Sequence, residues 1–233
     1  MARPERAGPI RMSPLIPLGL AIAALGLWLS VRLVQENRAR TAARAGYFAA
    51  VKPLFDGGEM RLQPTGFPRM TGKRCGLAYD LQAIPDTLTF RKLPALWVLV
   101  TLPGPMPLPA TLSLMARPSG NEPFSRFPTL PHSLPTPPGL PADVVIRTDN
   151  APMILTSDLI SAHADLFNDP QVKELVLSPK GIRIVILAEE ADRGRFLIFR
   201  DAEMGRTPLS PARLEPILGR LADLRDEIIR GQT

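Results

Sequence analysis

The fold of this chain is decided by residues 172–187, which read VKELVLSPKGIRIVIL. Two apolar runs rich in β-branched residues flank the segment SPKG at 178–181, where Pro and Gly favour a tight turn. The pattern predicts a β-hairpin and is the clearest strand signal in the sequence. Because a hairpin cannot bury its apolar face by itself, further strands and helices must cover it.

Segments around the hairpin add strands and one helix to it. Residues 144–148, VVIRT, predict a strand, and residues 155–167 predict a helix. After a polar turn at 189–194, the run FLIF at 196–199 predicts a third strand, which would complete a three-stranded meander.

The carboxy-terminal segment predicts an amphipathic helix that packs on the sheet. Ser210 is placed to cap it, and Pro211 suits the first helical position. Its apolar residues follow one stripe at helical spacing. They are Leu214, Ile217, Leu218, Leu221, Leu224 and Ile228.

Strands also dominate the sequence before the hairpin. Residues 76–84 alternate as a half-buried strand does, and LWVLVTL at 96–102 is a continuous apolar run too short to span a bilayer. Residues 110–116 predict a further strand. The order of elements predicts an α+β fold, an antiparallel-sheet domain with two packed helices over residues 56–233.

Residues 117–142, hereafter the strap, form the longest irregular segment and are rich in proline. Apolar residues interleave these prolines, which favours an extended segment lying over the domain, although a linker between domains is the alternative. They are Phe124, Phe127, Leu130, Leu134 and Leu140. Residues 128–131 and 138–141 match the PxxP ligand pattern, but such matches arise by chance in so proline-rich a chain.

The amino-terminal part predicts a membrane anchor. Residues 12–31 carry no charge, and 20 helical residues span about 30 Å, the thickness of the hydrocarbon core. We predict a basic tail at 1–11, a transmembrane helix at 12–34 that binds the lipid bilayer, and a juxtamembrane helical stalk at 35–55. A cleavable signal peptide is the alternative, but its apolar run is shorter and ends at a small-residue cleavage site.

The net charge of +6 belongs to the anchor and its flanks. Residues 1–55 hold 8 of the 28 basic and 2 of the 22 acidic residues, so the remaining chain is neutral. That balance disfavours nucleic-acid binding by the domain. Three arginines precede the apolar run and five basic residues follow it, which tilts the domain toward the cytoplasmic side.

Motifs for chemistry are scarce. The sequence has no GxGxxG, GxxxxGK[ST], GxSxG or HExxH, and its two histidines lie far apart, so it predicts no cofactor and no metal site, and the catalytic residues stay unknown. Cys75 follows two basic residues that would favour a thiolate, although a lone cysteine is commonly an inert small residue.

The densest unusual stretch, DTLTFRKLPALW, covers residues 86–97. Arg91 and Lys92 are adjacent cations with an aromatic residue on either side and Asp86 upstream. This pattern predicts a site for a small anionic ligand or a lipid headgroup that includes Trp97, with Cys75 nearby. The alternative is an ordinary loop leading into a buried strand.

Three functional hypotheses follow from the sequence. The first is a single-pass membrane protein whose domain serves as a protein-interaction or assembly module with a membrane-protein partner. The second is a membrane-tethered sensor or enzyme that acts on a small anionic ligand near Asp86, Arg91 and Lys92. The third is a peptide-binding sheet edge, which requires a long uncovered strand.

Overall fold

The computed structural model describes residues 15–87, 93–150, 157–199 and 202–231. Helix α1 spans Leu15–Ala45, and the chain divides into two compact units, one ending at Thr41 and the next beginning at Ala42. After α1 the chain turns through residues 46–51 and a 3-10 turn at Lys52–Leu54. Helix α1 therefore ends inside the predicted stalk at 35–55, and the second compact unit includes its last residues, from Ala42 onward.

Within the described residues of the domain, nine antiparallel strands form one open sheet in the order β1-β2-β3-β4-β9-β8-β5-β7-β6. The strands are β1 Asp56–Leu62, β2 Pro68–Arg74, β3 Leu77–Asp86, β4 Ala95–Pro103, β5 Leu112–Ala116, β6 His132–Leu134, β7 Val144–Thr148, β8 Val172–Ser178 and β9 Gly181–Glu190. The helices after the first are α2 Ser157–Ala162, α3 Arg193–Phe199 and α4 Pro211–Arg230, and further 3-10 turns span Phe127–Thr129 and Ala164–Asn168. This architecture confirms the α+β prediction.

One face of the sheet, hereafter the α4 face, packs against α4. All six apolar residues of the predicted stripe are buried, and α4 contacts β4 and β9 near the middle of the sheet. Each such side chain contributes roughly 1.5–3 kcal/mol on burial. The Tyr79 hydroxyl of β3 donates to the Leu218 carbonyl at 3.2 Å. The predicted amphipathic helix is therefore confirmed.

The α4 face also receives the first part of the domain. Tyr47, Phe48 and Val51 are buried in the same core as the α4 residues. The Leu209 amide donates to the Tyr47 carbonyl at 2.9 Å, which fixes this segment beside the start of α4. The chain therefore enters its domain on the α4 face.

The opposite face, hereafter the strap face, is covered over its middle strands by aromatic residues of the strap. Phe124 and Phe127 are buried against Leu99 of β4 and Val185 of β9. The rings of Trp97 and Phe124 lie 4.8 Å apart. Because β4 is covered on both faces, its sequence is a continuous apolar run rather than an alternating one.

The hairpin at 172–187 forms as predicted, with β8 and β9 joined through the turn at 178–181. The third strand of the meander, predicted at 196–199, is wrong because these residues belong to helix α3. The Asp192 side chain accepts a hydrogen bond from the Arg195 amide at 2.7 Å and caps that helix. Periodicity alone cannot separate strand from helix in so short an apolar run.

The helix predicted at 155–167 is divided where the structure describes it. Residues 157–162 form α2, and a 3-10 turn follows at 164–168. His163 lies between them with its Nε2 at 2.8 Å from Glu227 Oε2 and its Nδ1 at 3.2 Å from Arg220 Nη1 of α4. The break lets a buried histidine bond to two polar residues of α4.

Candidate functional site

Strand β1 is a free edge of the sheet. It has seven residues, six of them exposed, and among the described strands it pairs only with β2. The opposite edge, β6, has three residues and lies between Pro131 and Pro135, which lack amide donors. Natural sheets protect an edge in just this way, with short strands and proline. Strand β1 is longer and contains no proline, and beyond an irregularity between Asp56 and Glu59 its residues 59–62 pair regularly with β2. It is therefore the longer uncovered edge among the described strands, which is what the third hypothesis requires.

The side chains of β1 divide between the two faces of the sheet. Glu59 and Arg61 stand opposite Thr71 and Arg69 of β2. The pairing of β2 with β3 and of β3 with β4 places these residues on the same side of the sheet as the strap-face residues of β4. Glu59 and Arg61 therefore point to the strap face. Arg61 Nη2 lies 2.8 Å from Glu59 Oε1, and both side chains are well exposed. Met60 and Leu62 point the other way. The strand therefore carries a charge pair on one face and apolar side chains on the other.

A polar depression of about 360 Å³ adjoins this edge on the strap face, and its lining includes Glu59, Arg61 and Gln63. Arg69 makes a two-pronged contact with Asp80 of β3, with its Nη2 at 2.6 Å from Oδ2. This pair fixes the charge pattern beside β1. The edge is therefore polar on the strap face and backed by an ordered second strand.

A second feature is a groove of about 740 Å³ on the strap face, between the strap and β4, β8 and β9. Its lining includes Thr101, Ser125, Arg126, Glu174 and Arg183. The Arg183 Nε donates to the Thr101 hydroxyl at 3.0 Å. The groove is therefore lined by both acidic and basic side chains, which differ in their exposure.

Glu174 is the most deeply buried charged residue of this groove, with 1% of its surface exposed. Its Oε1 accepts hydrogen bonds from the Ser113 hydroxyl at 2.6 Å and the Ser125 hydroxyl at 2.5 Å. Burial raises the pKa of Glu174 above its ordinary value, and this effect outweighs the two hydroxyls and the charge of Arg183. Ser125 belongs to the strap and Ser113 to β5, so one carboxyl joins three segments.

Lys173, the neighbour of Glu174, also holds the strap. Its Nζ donates to the carbonyls of Ala116 at 2.8 Å and Arg117 at 2.6 Å, and lies 3.5 Å from Glu122 Oε1. Burial acts to raise the pKa of Glu122, but hydrogen bonds from Ser119 and the charge of Lys173 together lower it. A β-bulge between Val172 and Glu174 accompanies this pair of buried charges.

Glu174 and Lys173 are not among the residues predicted from the sequence. The available signal was a pair of adjacent charges, KE, inside the apolar strand VKELVL. Charged residues are almost never fully buried unless they are paired. The hydrogen bonds of both charged side chains attach the strap to the sheet, so their role is structural.

The predicted ligand site is only partly described. Asp86 ends β3, and Trp97 lies in β4 on the strap face, where its ring packs on Phe124. Arg91 and Lys92 lie outside the described residues, so the site they would form stays a prediction. Cys75 is exposed in the turn before β3, at the other end of that ten-residue strand, roughly 30 Å from Asp86. The structure therefore does not bring Cys75 together with Asp86.

Within the parts of the chain that the structure describes, no group of three or more His, Cys, Asp or Glu side chains could hold a metal ion. One described helix, from Leu18 to Ala45, is long and apolar enough to cross a membrane, and none of the residues in its apolar window is buried. The sequence matches no protein-family model and no curated protein.

Proposed function

We propose that this protein is a single-pass membrane protein whose domain acts as a protein-interaction or assembly module through the free edge strand β1. The anchor is helix α1, and the partner is a membrane protein. The observation that carries the proposal is the seven-residue edge strand β1, which has six exposed residues and pairs with β2 alone among the described strands. Such an edge binds partners by adding a strand to the sheet.

The exposed apolar side chains of α1 support the anchor. Leu20, Ile22 and Leu27 each expose more than three-fifths of their surface. A contiguous apolar surface of this kind on a soluble helix would be an aggregation hazard, whereas in a bilayer it faces lipid tails. The Arg32 guanidinium lies over the Trp28 ring at 5.3 Å, and both residue types are common at a membrane interface.

The interaction role is tested by site-specific photo-crosslinking in cells. With p-benzoylphenylalanine at Leu62 of β1, whose side chain is 59% exposed, we expect protein adducts after irradiation because a bound strand would lie beside it. The control is the same probe at Ile229 of α4, an exposed aliphatic residue remote in sequence from the edge. An absence of adducts at Leu62 above the Ile229 background would contradict the proposed role of the edge.

Cys75 provides a test of membrane sidedness because it is the single cysteine and its side chain is exposed. We place the domain on the cytoplasmic side from the distribution of arginines around α1. We therefore expect a membrane-impermeant maleimide to label Cys75 only after the cells are opened, as measured by a mass shift on gels. Labelling in intact cells would reverse the orientation, and Cys75→Ser is the control for specificity.

A further inference from the structure

We propose that the strand added to β1 is β1 of a second copy of this chain, paired antiparallel across a two-fold axis. This inference rests on the proposed function and names the partner of the same edge. The resulting sheet would run continuously through both copies. Closed two-fold pairing also uses up the free edge of each copy, which prevents further growth.

Symmetry limits how two identical strands can pair. In an antiparallel pair the two-fold axis must be perpendicular to the sheet, so it keeps each face of the sheet on the same side in both copies. Residues that stand opposite each other must also point to the same face. A shift of the pairing by one residue breaks this condition. Each permitted register is therefore centred on one residue that stands opposite the same residue of the second copy.

Charge then distinguishes the permitted registers that are centred on residues 59, 60 and 61. Centring on Glu59 or on Arg61 would place that residue opposite its own copy, with like charges in contact. Centring on Met60 instead places Glu59 opposite Arg61 of the second copy, and Arg61 opposite Glu59 of the second copy. On the other face Met60 meets Met60. The sequence Glu59-Met60-Arg61 is therefore complementary to itself in one register.

The exposed ion pair within β1 fits this arrangement. Glu59 and Arg61 already contact each other across Met60, at 2.8 Å, with 60% and 77% of their side chains exposed. In the pair of strands these four side chains would form a square of alternating charge, with cross-strand Cβ distances of about 4.5–5.5 Å. Leu62 would stand opposite Gly58 of the second copy, where no side chain opposes it.

The fold also suits two copies in one membrane. Tyr47 and Phe48 place the start of each domain on the α4 face. Because the two-fold axis is perpendicular to the sheet, both chains would enter their domains from the same side of the joined sheet. Confinement to a membrane raises the effective concentration, so a short edge can suffice for pairing.

Disulfide formation in native membranes tests the register. The full-length chain carries Cys75→Ser, to remove its own thiol, together with either Met60→Cys or Leu62→Cys. The proposed register brings the two Met60 Cα atoms within about 4.5–5.5 Å, inside disulfide range, and leaves the Leu62 pair about 14 Å apart. We therefore expect copper phenanthroline to link Met60→Cys into a dimer and to leave Leu62→Cys a monomer.

Charge reversal tests the complementarity in the same Met60→Cys background. Glu59→Arg and Arg61→Glu should each lower the rate of cross-linking about tenfold, because attraction becomes repulsion at two places. The double variant Glu59→Arg/Arg61→Glu should restore it, and so should co-expression of the two single variants. Both side chains are exposed, and the restoring combinations show that a loss does not come from misfolding.

The outcomes separate this inference from the function on which it rests. Equal linkage at Met60 and Leu62, no linkage at Met60, or charge variants that link as fast as the parent would each overturn the pairing. If Leu62 forms photo-adducts with other proteins while Met60→Cys does not link, the interaction module stands and self-pairing fails. If neither probe reports a contact, both proposals fail.

Discussion

Replacing Ile22 and Leu25 with arginine is expected to release the protein from the membrane. Both residues lie near the middle of the uncharged run and are exposed on α1. Exchange of an aliphatic residue for arginine near the helix centre costs about 3–4 kcal/mol on the insertion scale, and the double exchange roughly 6–8 kcal/mol. Because each 1.4 kcal/mol is tenfold, insertion would fall by more than about four orders of magnitude.

The measurement is the share of protein that stays in the membrane pellet after a wash at high pH. The matched control places the same two charges beyond the apolar run, as Ala39→Arg and Ala42→Arg, where both residues are exposed. The control should remain in the pellet like the parent protein. Retention of Ile22→Arg/Leu25→Arg in the washed pellet would contradict the assignment of α1 as the anchor.

Removal of the Glu174 carboxyl is expected to destabilise the domain strongly. In Glu174→Ala the hydroxyl of Ser113, which is 2% exposed, loses its acceptor, and a cavity forms beneath the strap. These effects together lower the free energy of unfolding by about 2–4 kcal/mol. Glu174→Gln keeps an oxygen acceptor and a similar volume, so its cost should be below about 1 kcal/mol.

The same pair of proteins gives a pH test. A carboxyl whose pKa is raised on folding stabilises the domain fully below its unfolded pKa, and this contribution is lost as pH rises through the folded value. The ordinary pKa is 4.5 and the folded pKa of Glu174 is higher. The stability of the parent relative to Glu174→Gln should therefore decline as the pH rises above 4.5.

The measurement is denaturant unfolding of the full-length chain in detergent, followed by the fluorescence of Trp97. Trp28→Phe removes the other tryptophan, so the signal comes from the domain alone. The comparison covers about pH 4 to about pH 8, the range in which a raised carboxyl pKa has its effect. A difference between parent and Glu174→Gln that is independent of pH would contradict the raised pKa.

The sequence was sufficient for elements that local patterns determine. The hairpin and α4 were correct because a tight turn and a 3.6-residue stripe are encoded over short stretches. The strand predicted at 196–199 was wrong because the apolar content of this segment does not distinguish a strand from a helix, and Asp192 caps a helix there. The strand order could not be predicted, because β4 pairs with β9, which lies about 80 to 95 residues downstream, and no local pattern indicates that pairing.

The candidate site was predicted less completely, and for the same reason. A peptide-binding edge requires an uncovered strand, but local sequence patterns do not identify which strand that is. Edge position depends on the order of the whole sheet, and residues 56–58, DGG, have the composition of a turn rather than of a strand. In the structure they belong to β1, with an irregularity in the pairing between Asp56 and Glu59. The self-complementary charges of β1 have a consequence only because β1 lies at the edge of the sheet.

The pairing of β4 with β9 also sets the order of events during synthesis. The middle of the sheet lacks a partner on one side until the chain has been made through residue 190, and its α4 face stays uncovered until α4 at 211–230 has followed. The apolar amino-terminal helix leaves the ribosome long before either segment. As the proposed anchor, it would meet the membrane while the domain is still unfinished. Apolar strands such as β4 must then be kept from other chains until the carboxy terminus is made.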